Sequence, residues 1–174
     1  MRLLLTTVTA VLLSATGLPR AAAAYSVARG SSGLRPHLGV NAKITGMPSQ
    51  FQVGMDWEHA MTGPLLFVLG FDFGVANEFL GLGVNAGVKH RFLQLHPRVA
   101  PFIAGGGAFH LGIPAKSGEA ITGLGIRFGF GVDFFPTPRI IPGLDIIFDV
   151  GPRFTPTIGA IGMVHVLFAC TFLL

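Results

Sequence analysis

The sequence predicts an all-β fold, an antiparallel up-and-down transmembrane β-barrel of about eight strands with short loops. Three observations predict it. Apolar residues alternate with small or charged ones over a series of stretches that fills the chain. The composition is 51% hydrophobic and only 11% charged, where ordinary globular domains carry about 25% charged residues. Mean hydropathy is +0.65, yet no stretch beyond the N-terminal leader reaches the ~18 uninterrupted apolar residues of a spanning helix. In a hydrocarbon layer every backbone polar group must pair within the protein. An exported, apolar chain without helical spans therefore closes into a barrel.

The first 24 residues read as a cleaved secretory signal. Met1 and Arg2 give a positive start, residues 3–13 an apolar run, and Ala21 to Ala24 a small-residue cleavage site before Tyr25. The apolar run is too short to span a bilayer as a helix. Residues 25–33 form a short N-terminal segment and 34–174 the barrel. Removing Arg2 and Arg20 from the 12 basic residues leaves 10 against 8 acidic ones, a net +2. Basic residues neither cluster nor dominate, which excludes a nucleic-acid footprint. Cys170 is the only cysteine, so no intramolecular disulfide staples the fold.

The strands follow in order. Residues 34–45 set Leu34, Leu38, Val40 and Ile44 against Arg35, His37, Asn41 and Lys43. Residues 50–59 set Phe51, Val53, Met55 and Trp57 against Gln52, Asp56 and Glu58. Residues 65–75 set Leu65, Phe67, Leu69, Phe71 and Phe73 against Gly70, Asp72 and Gly74. Residues 79–92 alternate Leu80, Leu82, Val84, Ala86 and Val88 with Gly81, Gly83, Asn85, Gly87, Lys89 and Arg91. Residues 98–111 form a strand whose phase is left open by Gly105, Gly106 and Gly107. Residues 121–134 set Leu124, Ile126, Phe128, Phe130 and Val132 against Arg127, Asp133 and four glycines. Residues 141–153 set Leu144, Ile146, Phe148 and Val150 against Asp145, Asp149 and Arg153. Residues 158–174 are apolar on both faces apart from His165 and Thr171. Gly, Pro, Asn and Ser clusters separate these stretches as turns.

Alternation alone does not say which face is outward. Charge decides it, because rows of Phe are exposed without cost only when lipid is the solvent. The expected inner face carries Arg35, Lys43, Lys89, Arg91, Arg127 and Arg153. It also carries Asp56, Glu58, Asp72, Asp133, Asp145 and Asp149, a one-for-one balance. About eight strands enclose room only for side chains, so the charges are expected to pair and fill the lumen. The candidate site is an ion-pair cluster of Arg127, Asp145, Asp149, Lys89, Arg91, Asp56, Glu58 and Asp133. Within it, the tight turn around Thr137 predicts that Arg127 faces both Asp145 and Asp149.

Residues 101–107 (PFIAGGG), residues 129–138 (GFGVDFFPTP) and the closing strand resemble the small outer-membrane β-barrels typified by the transmembrane domain of outer membrane protein A. The resemblance implies residence in the bacterial outer membrane and insertion by the barrel-assembly machinery, which reads the last strand. Such chains usually end on an aromatic residue, whereas this one ends Phe172-Leu173-Leu174, with Phe168, Phe172 and Leu174 on one face. With one Trp and one Tyr in the chain, Phe carries most of the interfacial anchoring.

Other chemistries find less support. His110, Ser117 and Glu119 flank one loop and are the best candidates for a lipid-modifying enzyme, but nothing in their spacing brings nucleophile to base. His90 and His96 stand apart from any second metal ligand. His165 reads as a packed lumen residue. Gly81-Leu82-Gly83 and Gly105 to Gly107 precede no helix and are not phosphate loops. The sequence therefore predicts a monomeric, non-enzymatic outer-membrane barrel without cofactor or metal, whose partners are membrane lipid and the insertion machinery. The leading role is structural or poorly conducting. A narrow passive channel and a lipid-modifying enzyme are the alternatives.

Overall fold

The computed structural model describes residues 28–116 and 118–174. The expected signal peptide and Ser117 lie outside the described residues. Eight strands follow one another: β1 (Ser32–Thr45), β2 (Gln50–Ala60), β3 (Leu65–Ala76), β4 (Phe79–Arg91), β5 (Val99–Pro114), β6 (Ile121–Phe134), β7 (Ile140–Arg153) and β8 (Gly159–Leu173). Each pairs antiparallel with its sequence neighbour, and β1 pairs with β8, so the sheet closes. Closure leaves no unpaired strand edge, as a hydrocarbon environment requires.

Strand limits match the alternating stretches to within a few residues. The barrel begins at Ser32, inside the expected N-terminal segment, because Gly33 already pairs with Glu58 of β2 and Leu173 of β8. The phase of β5 is continuous: Ala100, Phe102, Ala108, His110 and Gly112 are buried, and the glycine run interrupts neither ladder. The hairpin between β3 and β4 turns on two residues, Asn77 and Glu78, with Glu78 left-handed at φ 58°. Asn beside a left-handed position is a common hairpin turn chemistry.

The outer wall is apolar. Phe51, Phe71, Phe128, Phe130 and Phe168 are each at least half exposed. The inner wall is polar in its middle third and apolar at both ends. Toward the chain termini, Ala60, Ala100, Phe135 and Ile141 pack together with Leu93 and Leu173. Toward the opposite loops, Met47, Phe79, Ile161 and Met163 pack with Ala76 and Ile121. Two apolar plugs thus bracket the charged lumen. Met47, in the turn between β1 and β2, folds inward as part of the loop-end plug.

Candidate functional site: the charged lumen

Because side chains alternate across a strand, each strand delivers its polar residues to the lumen at fixed heights. The barrel then sorts them into two layers. The layer nearer the termini centres on Arg35. Its guanidinium lies 3.0 Å from Asp133 Oδ1 and 2.6 Å from Asp145 Oδ1, and it donates to Thr171 Oγ1 at 3.0 Å. Lys89 Nζ lies 3.1 Å from Glu58 and 2.9 Å from Asp133, over the Phe102 ring at 3.9 Å. Arg91 reaches Asp133 at 2.6 Å and Glu58 at 2.9 Å. Three cations meet three anions, and Arg91, Asp133 and Thr171 have no exposed surface. Charge-assisted bonds of this kind offset the desolvation that burial imposes.

The layer nearer the loops centres on Arg127. It grips Asp149 through Nε to Oδ1 at 2.9 Å and Nη2 to Oδ2 at 2.8 Å. The same Nη2 lies 3.0 Å from Asp72 Oδ2. His37 sits between two carboxylates, with Nε2 2.7 Å from Asp72 and Nδ1 3.5 Å from Asp56. His165 places Nδ1 2.7 Å from Gln52 Oε1 and Nε2 2.9 Å from Asp149 Oδ2. His110 Nε2 is 3.4 Å from that same oxygen.

Small residues on the inner face make this density possible. A Cβ on Gly70 would strike the Asp56 carboxylate, and one on Gly143 would come within 2.7 Å of the Arg35 guanidinium. A cavity of about 60 Å³ separates the layers, lined among others by Arg35, Glu58, Lys89, Asp56, Arg127 and Asp145. A second, of about 20 Å³, lies under the loop-end plug beside Gln52, Asp72, His110 and His165. Each has room for ordered water.

All eight residues of the expected cluster point into the lumen, but in two groups. Lys89, Arg91, Glu58, Asp133 and Asp145 join the terminal-side layer; Arg127, Asp149 and Asp56 join the loop-side layer. The expected contact of Arg127 with both Asp145 and Asp149 is corrected. The hairpin register sets Arg127 opposite Asp149 and Asp145 opposite Gly131, and Asp145 pairs with Arg35 across the barrel. Lys43 and Arg153 also leave the expected set. Lys43 is exposed at the end of β1, and Arg153 bonds Thr157 at the rim. Arg35, His37, Asp72, His110 and His165 belong to the network although they were not in the candidate site. Alternation had already put Arg35, His37 and Asp72 on the inner face, and that parity was the available signal.

Two of the candidate catalytic residues, His110 and Glu119, do not meet. His110 is buried in the lumen, whereas Glu119 is exposed in a loop. At the opposite end Ser32 Oγ lies 2.9 Å from His59 Nδ1, and His59 stacks on Trp57 with centroids 5.5 Å apart. Among the described residues no carboxylate pairs with His59.

No protein-family model matches the chain, and no curated protein matches its sequence. Solved structures do resemble its fold. Neisserial surface protein A superposes with TM-score 0.65 at 12% identity, covering 82% of this chain and 95% of that one. The N-terminal β-barrel domain of OprF from Pseudomonas aeruginosa gives 0.64 at 11% identity, covering 84% and 98%. The outer membrane protein OprG from Pseudomonas aeruginosa gives 0.61 at 7% identity, covering 86% and 98%. At such identities the likeness concerns architecture alone, and it establishes that this chain has the fold of the small outer-membrane β-barrels.

Proposed function

We propose that the protein resides in the bacterial outer membrane as a closed, structural barrel that conducts little or nothing. One observation carries the reading: buried charge layers, with Arg91, Asp133 and Asp149 wholly unexposed, lie between apolar plugs at both ends of the lumen. Ions would have to cross both an apolar constriction and the charge-balanced layer around Arg35, each a barrier to permeation. The outward Phe rows support membrane residence, since water would drive them to associate. Its partners on this reading are outer-membrane lipid and the insertion machinery that reads β8. The protein works as a monomer, without cofactor or catalytic role.

A narrow channel is the second reading, favoured by the 60 Å³ cavity between the layers. Planar-bilayer recording of the refolded chain decides between them. The closed reading expects insertion without resolved current steps, and regular current steps in the wild-type chain would overturn it. Failure to partition into phospholipid vesicles would overturn membrane residence itself.

A further inference from the structure

Basic residues scattered along the chain are gathered by the fold at one end. Arg29 precedes β1, Arg98 ends the turn from β4 to β5, and Arg139 ends the turn from β6 to β7. All three stand on the rim that holds the termini, and backbone hydrogen bonds to a neighbouring strand or turn fix each place. Gly30 N, beside Arg29, donates to the Ala60 carbonyl at 2.8 Å; Phe135 N donates to the Arg98 carbonyl at 2.8 Å; Leu173 N donates to the Arg139 carbonyl at 3.0 Å. The three arginines themselves are exposed.

No acidic side chain balances them. Of the eight acids, six line the lumen, and Glu78 and Glu119 stand in the loops of the opposite end. Counting a carboxylate at Leu174 still leaves this rim positive. The opposite rim is mixed, with Lys116 paired to Glu78 and Arg153 bonded to Thr157. A ring of exposed cations without internal partners is a surface for an anion.

The wall beside the arginines points to what the anion is attached to. At this end Leu34 pairs with Trp57, Val99 with Phe134 and Ile140 with Phe172 across adjacent strands. Arg98 directly precedes Val99, and Arg139 directly precedes Ile140. Leu34, Trp57, Phe134, Ile140 and Phe172 are exposed on the outer wall. Toward the membrane from Arg29, a hollow of about 360 Å³ lies in that wall, lined by Leu34, Met55, Trp57 and Phe71 among others. A soluble anion would use the cations and leave the apolar pairs bare. A phospholipid presents a phosphate and then acyl chains, the order in which rim and wall meet it.

We propose that this rim is a collar for anionic phospholipid, in which Arg29, Arg98 and Arg139 each hold the phosphodiester of a lipid whose chains lie on the apolar pair beside it. The guanidinium fork suits phosphate oxygens. The collar rests on the membrane residence inferred above and adds the lipid class, the leaflet and the residues that select it.

Trp57 is the only tryptophan and reports on the lipid nearest Arg29. The full chain is refolded into vesicles of phosphatidylcholine and phosphatidylglycerol, with brominated chains on one lipid or the other to quench its fluorescence. At low salt phosphatidylglycerol should be favoured beside Trp57 by about fivefold, the usual effect of one basic residue at an anionic leaflet. Added salt should erode that preference, because exposed charges are screened. Arg29→Gln should abolish it, whereas Arg139→Gln, separated from β2 by β1 and β8, should leave it intact. Moving the reporter, with Trp57→Phe and Ile140→Trp, should exchange the two dependences, and Phe134→Trp should read Arg98 in the same way.

Equal quenching by the two lipids at any of these positions would overturn the collar, as would a preference that outlives its arginine. Poly-L-glutamate binding to the barrel in pure phosphatidylcholine, lost when all three arginines become Gln and accompanied by equal quenching, would make the rim a protein-docking surface instead. Failure to insert into either kind of vesicle would overturn membrane residence and the collar with it. Insertion without lipid preference overturns the collar alone.

Discussion

Arg127 and Asp149 stand directly opposite each other on β6 and β7 and are joined at two points, 2.9 and 2.8 Å long. The planar fork of the guanidinium matches the carboxylate, and Arg127 also reaches Asp72. This residue therefore holds two of the three acids in its layer. Arg127→Ala should cost about 3–5 kcal/mol, the usual penalty for stranding a buried charge. Arg127→Lys keeps the charge but loses the two-point grip, so its cost should be smaller. Urea unfolding in vesicles measures both, and an unchanged midpoint in Arg127→Ala would mean that the pair is not what holds the layer together.

Conductance should not follow that loss of stability. The apolar plugs lie above and below the charge layers and do not include Arg127. Bilayers containing Arg127→Ala should stay as silent as those with the parent chain. Current steps appearing in the variant would shift the barrier from the plugs to the ion pairs.

The wall makes a contrasting prediction for neighbouring residues. Phe128 is half exposed and stacks on Phe148, with ring centroids 5.1 Å apart. Phe128→Arg should impair insertion by about 2–4 kcal/mol if the position lies near the bilayer midplane. Gly129, the next residue, is buried, and a Cβ there would meet the Ile146 carbonyl oxygen at 2.7 Å. Gly129→Leu should therefore destabilise by overpacking, about 1–3 kcal/mol. Equal folding of Phe128→Arg and the parent in lipid would invert the assignment of faces.

The two ends of the barrel can be told apart by labelling. Lys116 lies at the loop end, exposed and paired with Glu78, while Arg139 is exposed at the end that holds the termini. With the termini periplasmic, Lys116→Cys in a Cys170→Ser background should react with an impermeant thiol reagent on intact cells. Arg139→Cys should stay unlabelled. The opposite pattern would reverse the topology.

Strand positions and the two faces of the wall were legible in the sequence because alternation is a local property. A residue's side of the sheet follows from its parity, so Arg35, His37, Asp72, Arg127 and Asp149 could be placed inside without knowing the fold. Eight strands and a polar lumen with an apolar exterior followed from the same period. The glycine run of β5 hid its phase only because glycine carries no side chain to mark a face. Pairing inside the lumen was another matter. Arg35 meets Asp145 at a sequence separation of 110 and Asp133 at a separation of 98. Which side chains share a height depends on how far each strand is staggered when the sheet closes, and no local pattern encodes that. Closure gave Asp145 to Arg35 instead of Arg127. It also left Lys43 and Arg153 at the rim, and drew Met47, Phe79, Ile161 and Met163 from separate strands and a turn into one plug. In the strands that alternate, the sequence alone determined which mid-strand residues face inward; the stagger of the closed barrel decided which of them touch.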